Sequence, residues 1–138
     1  MIRQALALSV LAFAVGCAPA HETAGAPPVA AAAGSVRDID IAALRAGRDA
    51  GTFPTVIDVR TPGEYAGGRI PGARNVPVDA LDSHVPDLLA AGGEVVLVCA
   101  SGGRSARAAQ MLSEQSVRAV NVLGGTNAWV AAGLAVER

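Results

Sequence analysis

Cys99-Ala100-Ser101-Gly102-Gly103-Arg104-Ser105 joins an apolar run, Glu94–Val98, to a helical pattern that begins near Ser105. A thiol, two adjacent glycines, a guanidinium and a hydroxyl in that order can build an anion cradle. Gly102 and Gly103 permit backbone conformations closed to other residues, so successive N–H groups can curl around one point. The helix that follows adds the positive end of its dipole. A cysteine on the floor of such a cradle ionises more readily than a free thiol, whose pKa is about 8.5. The same donors would stabilise a terminal persulfide sulfur, which is also an anion. Arg104 can place a fixed charge at the rim or brace the loop. A cysteine that only fills a core would gain nothing from these neighbours. Cys99 is therefore the candidate nucleophile, and Ala100, Ser101, Gly102, Gly103, Arg104 and Ser105 are the candidate binding loop.

The elements around this loop alternate short apolar runs with helical segments, which predicts an α/β fold with a mainly parallel sheet covered by helices on both faces. A first strand is expected at Val36–Ile39. Asp40 then caps a helix through Ile41 and Leu44 that ends at Gly47. Thr55–Val59 is β-branched and predicts a central strand, followed by a helical turn from Thr61-Pro62 and a short strand over Ala73–Val76. Leu81, Val85, Leu88 and Leu89 share a helical face, interrupted or restarted at Pro86 and stopped by Gly92-Gly93. Glu94–Val98 reads as a strand buried on both faces, with Cys99 at its carboxyl end, where open α/β sheets bind ligands. Ala119–Leu123 is the last strand. Gly124-Gly125 turns the chain, and Thr126 is expected to cap a helix that holds Trp129 and ends at Gly133.

With 138 residues, 51% of them hydrophobic, the chain can form one ordinary core. A formal net charge of −1 and few aromatic residues argue against nucleic acid as a partner. Every basic side chain is arginine, which excludes Schiff-base lysine chemistry and lysine-dependent phosphate loops. His21 and His84 lack metal-ligand spacing, with His84 expected on the solvated surface.

The chain's other cysteine, Cys17, belongs to a different context. Met1-Ile2-Arg3, the apolar run Ala5–Val15 and the small residues after it have the layout of a secretory signal. Ala14-Val15-Gly16-Cys17 resembles a bacterial lipobox, which implies cleavage after residue 16 and a lipid anchor on Cys17. The alternative is ordinary cleavage near Ala18-Pro19-Ala20. Residues 17–35, rich in Ala, Pro and Gly, then read as a tether, and the folded domain spans 36–138. The expected location is the periplasmic side of a bacterial membrane. Ala18 lacks the aspartate associated with inner-membrane retention, which points to the outer membrane.

The active loop resembles that of the rhodanese family, C-x-x-G-x-R-[ST], at Cys99, Gly102, Arg104 and Ser105. Asp58-Val59-Arg60 with Glu64-Tyr65 is similar to the family's D-V-R and E-[YF] elements. Gly68-Arg69-Ile70-Pro71-Gly72-Ala73 with Asn75-Val76-Pro77 is similar to its G-H-I-P-G-A-x-N-I-P signature. Leu123-Gly124-Gly125, Ala128-Trp129 and Ala132-Gly133-Leu134 resemble its closing run. Arg69 stands where histidine is usual, and Leu134 where proline is common.

The resemblance implies a three-layer, five-stranded fold and transfer of a sulfane sulfur through a Cys99 persulfide. The sulfur would come from thiosulfate or a similar small anion and pass to cyanide or a thiol, with no metal or organic cofactor. Asp58 and Arg60 are expected to brace the fold near the loop. A phosphatase or arsenate reductase of the same fold has its arginine six positions after the cysteine; here the interval is five, a smaller cradle that suits one sulfur atom. The rival reading is a membrane-tethered persulfide carrier or docking module without fast turnover.

Overall fold

Glu94–Val98 lies at the centre of the molecule because both faces of the strand find apolar cover. In the computed structural model, which describes residues 34–53 and 55–138, five strands form one sheet: β1 (Val36–Ile39), β2 (Thr55–Asp58), β3 (Arg74–Asn75), β4 (Glu94–Val98) and β5 (Arg118–Val122). Between and after them run α1 (Ile41–Asp49), α2 (Pro62–Ala66), a 3-10 helix (Val78–His84), α3 (Val85–Ala91), α4 (Gly103–Glu114) and α5 (Gly125–Ala131). The order is β1-β5-β4-β2-β3, and every pairing is parallel. The signal expected over 1–16, Cys17, His21 and all but the end of the segment 17–35 lie outside the described residues. Among the described residues, no helix is long and apolar enough to cross a membrane.

Side-chain alternation along the strands divides the core in two. Ile57, Val59, Val95, Leu97, Cys99 and Ala119 face the 3-10 helix, α3 and α4, and meet Leu81, Val85, Leu88, Ala108, Ala109 and Leu112. Val56, Val96, Val98, Val120 and Val122 face the other way and meet Leu44, Phe53, Ile70 and Trp129. Cys99 thus continues the α4 face of the central strand.

Several local boundaries differ from the expectations. Asp40 caps α1 through a 2.8 Å bond from Ala43 N–H to its carboxylate, but the helix continues past Gly47 to Asp49. The glycine is a packing notch: a Cβ there would lie 2.2 Å from the Phe53 ring. Leu89 leaves the expected face and is 48% exposed, while Val85 and Leu88 of the same helix stay buried. Pro86 sits in the first turn of α3, where its missing N–H costs nothing. Thr126 lies inside α5, which starts at Gly125 with Gly124 as its left-handed N-cap (φ 75°). His84 is half-buried, with Nδ1 3.1 Å from the Ala80 carbonyl. Gly47→Ala is expected to destabilise the fold by about 1–3 kcal/mol through overpacking against Phe53, read as a lower urea midpoint with an unchanged slope.

Candidate active site

Gly102 decides where the active loop ends. Its φ of 103° lets it serve as the N-cap of α4, which begins at Gly103 rather than near Ser105. Arg104 and Ser105 therefore belong to the first helical turn, and the irregular part of the loop is short. A side chain at Gly102 would be strained by this φ, and its Cβ would press to 3.1 Å from the Val122 carbonyl oxygen.

The conformation aims donors at the sulfur. Gly102 N–H donates to Cys99 Sγ at 3.1 Å, and the Ser105 hydroxyl lies 3.5 Å from it. Cys99 itself is only 1% exposed. Burial pushes its thiol up, while the Ser105 hydroxyl and the backbone N–H groups of Ser105, Gly102 and Ser101 more than offset this and hold it below the ordinary thiol value. So little exposed surface suits attack on a slim terminal atom, such as an end sulfur, better than on a bulky centre.

The loop's carbonyl oxygens are taken up elsewhere. Thr126 N–H donates to Cys99 O at 2.8 Å and Asn127 N–H to Ala100 O at 2.9 Å, so the first turn of α5 satisfies its own free donors and those acceptors together. This close approach requires glycine at 125, where a Cβ would sit 2.2 Å from Cys99 O.

Asp58 and Arg60 lie at the end of the neighbouring strand, 0% and 6% exposed. Arg60 Nε and Nη2 donate to the Asp58 carboxylate at 2.9 and 2.7 Å, and Nη2 also donates to Gly68 O at 2.8 Å. Asn75 Nδ2 closes the corner with 2.9 Å bonds to the carbonyls of Asp58 and Arg60. These groups hold the chain between β2 and β3. Arg69, in the position of the usual histidine, stacks 4.7 Å from the centroid of Tyr65 and pairs with Glu137 at 3.5 Å.

Arg104 is not a free rim charge. Its Nη1 and Nη2 donate to the Glu64 carboxylate at 2.8 and 2.6 Å. Glu64 also completes a capping box with Thr61 at the start of α2. The Arg104 guanidinium holds the Glu64 carboxyl down at about 2. Three residues of this site escaped the sequence reading: Glu64 as the partner of Arg104, Asn121, and Asp38. A polar Asn121 inside the apolar run of β5 was the available signal, since a buried amide needs partners.

Two outcomes follow. Asp58→Ala leaves Arg60 buried without its partner and should cost about 3–5 kcal/mol of stability in chemical denaturation. Glu64 has a folded pKa depressed below its unfolded value, so its contribution is present above about 4.3 and is lost as pH falls through about 2. Carboxyl NMR titration should find Glu64 still ionised at pH 4.

Comparison with known proteins places this geometry. The model of the rhodanese-like domain matches residues 40–132. A sulfurtransferase of Allochromatium vinosum is 35% identical over 82 residues, covering 59% of this chain and 76% of the relative. YtwF of Bacillus subtilis is 35% identical over 94 residues, covering 68% and 90%. The crystal structure of a rhodanese-like domain protein from Staphylococcus aureus superposes with a TM-score of 0.60 at 33% identity, covering 74% of this chain and 99% of that one. With a cysteine loop already standing at the end of the central strand, these likenesses make the chain a member of the rhodanese-like family, with a role of the sulfurtransferase type.

Proposed function

We propose that Cys99 carries sulfane sulfur as a persulfide, taking it from thiosulfate or a similar small anion and delivering it to cyanide or a thiol. The observation that carries this reading is the ring of donors around the sulfur, led by the 3.1 Å bond from Gly102 N–H. The Cys99 thiolate attacks the outer sulfur of thiosulfate. The S–S bond of the donor breaks, and sulfite leaves with the bonding electron pair. The terminal sulfur of the resulting persulfide holds the negative charge among the same N–H groups. A nucleophilic acceptor then attacks that terminal sulfur, the Sγ–S bond breaks, and the thiolate is restored. Cyanide attacks as an anion already; a thiol acceptor attacks as its thiolate, having lost its S–H proton to solvent.

Charge at the rim sets the affinity for the donor. Arg104 can attract a dianion, but Glu64 neutralises it through two hydrogen bonds. A partner that competes with Glu64, or a donor of lower charge, suits this rim better than bare thiosulfate. The lipobox-like Ala14-Val15-Gly16-Cys17 supports a further part of the reading: a mature protein lipid-anchored at Cys17 on the periplasmic side of a bacterial membrane. The mass of the mature N-terminal peptide tests it, and a free thiol on Cys17 would overturn it.

Purified protein incubated with thiosulfate should gain the mass of one sulfur atom, and cyanide should remove it as thiocyanate; Cys99→Ala should do neither. Mass gain without catalytic turnover would assign the carrier role, and no gain from any sulfane donor would refute the persulfide. Glu64→Gln should lower the KM for thiosulfate about 2–5-fold, in keeping with the worth of an exposed ion pair, with the effect shrinking as salt is added.

A further inference from the structure

Ser105 has one hydroxyl proton and three acceptors within reach: Asn121 Oδ1 at 2.7 Å, Gly102 O at 3.1 Å and Cys99 Sγ at 3.5 Å. Which of them receives the proton depends on the Asn121 side chain. Asn121 is 2% exposed and sits opposite Asp38 in the register of β1 and β5. The Asp38 carboxylate only accepts, so the amide end facing it, 2.8 Å away, must be the NH2 group. That leaves the amide oxygen directed at Ser105. The shortest of the three contacts is thus one in which the serine proton points away from the sulfur, with an oxygen lone pair turned toward Sγ. This arrangement accepts an S–H; to donate to a thiolate the hydroxyl must give up its contact with Asn121, so the help that Ser105 gives the anion is reduced but not lost.

We propose that Asp38 and Asn121 are positioning residues for Cys99: Asp38 orients the Asn121 amide so that its oxygen competes with Sγ for the single proton of Ser105. The inference rests on the reading of Cys99 as the reactive thiolate. The competition has a chemical use. A lower thiol pKa gives more thiolate but a poorer nucleophile, and a hydroxyl with two resting places can follow the charge as it moves. It turns to Sγ when Sγ is the anion. It returns to Asn121 when the charge sits on the terminal sulfur of a persulfide and Sγ is neutral. Asn121 Oδ1 then keeps a partner for the hydroxyl through the half of the cycle in which Sγ does not need it.

Among the described residues, the charged groups around the thiol are few. Arg104 acts on it from α4 while paired with Glu64 of α2. The Asp58–Arg60 pair lies at the end of β2, beside the end of β4. Asp38 stands at the far end of the relay on β1, where its exposed position allows replacement without opening the core.

The test is the pH dependence of Cys99 alkylation by iodoacetamide in four proteins: wild type, Asp38→Ala, Ser105→Ala and the double variant, each checked for native circular dichroism. Without Asp38 the amide is free to turn its NH2 to Ser105, whose proton then goes to sulfur. The alkylation midpoint of Asp38→Ala should fall by about half a pH unit or more, and that of Ser105→Ala should rise. In the Ser105→Ala background, Asp38→Ala should have no effect. An equal fall in both backgrounds would mean that Asp38 acts only as a distant negative charge, and would overturn the relay. So would an unchanged midpoint in Asp38→Ala. Alkylation needs no sulfur donor, so a protein that shows this pattern yet never gains sulfur from a donor would refute the proposed reaction while leaving the relay standing.

Discussion

Two hydrogen bonds, from the N–H groups of Thr126 and Asn127 to the carbonyl oxygens of Cys99 and Ala100, decide which way the loop after β4 faces. A peptide unit that turns its oxygen outward turns its N–H inward, so holding the Ala100 carbonyl on α5 leaves the Ser101 N–H on the side of the sulfur, and the left-handed turn at Gly102 brings the next amide to 3.1 Å from it. Because β4 is the middle strand of the sheet, the base of the loop cannot shift without disturbing both cores. Glycine at 102 and 125 is what lets the loop, the end of β5 and the start of α5 come within touching distance. The sheet, the two glycines and α5 can be understood as parts of one device for orienting peptide dipoles.

The side-chain charges around the site serve a different purpose. Asp58 and Arg60 neutralise one another in the interior; Arg60 also donates to the Gly68 carbonyl, and the Asp58 carboxylate also accepts the Arg60 backbone N–H. Arg104 is committed to Glu64. With these cations paired, stabilisation of a sulfur anion falls mainly to main-chain donors, which are fixed in place and need no reorganisation when charge appears. Their effect is strong because the thiol is dry. The same dryness raises the thiol, so the donors must first overcome burial before they can favour ionisation.

Much of this was legible in the residues. The run Glu94–Val98 announced a doubly covered strand, and the glycines after Cys99 announced a loop of unusual backbone. A mainly parallel sheet followed from the alternation of strands and helices, and the structure makes every strand pairing parallel. What could not be read came from pairs distant in sequence. Gly47 has the local appearance of a stop signal, and only the position of the Phe53 ring makes it a notch within a helix. Thr126 has the appearance of a cap, yet Gly124 in a left-handed conformation took that place. Glu64 reaches Arg104 across 40 residues and Asp38 reaches Asn121 across 83; no local pattern encodes either meeting. Leu89 shares the periodicity of Val85 and Leu88, but the short α3 buries only those two.

The placement of β1 at the edge beside β5 bears on how the molecule assembles. The first strand must wait for the last, since Val36–Ile39 pairs with Ala119–Val122. Such long-range closure is slow, and a chain emerging from its amino end holds an unfinished sheet until nearly all of it is available. Asp38 arrives with β1. The Asp38–Asn121 contact, and any influence it has on the thiol, is thus completed only when this edge of the sheet closes.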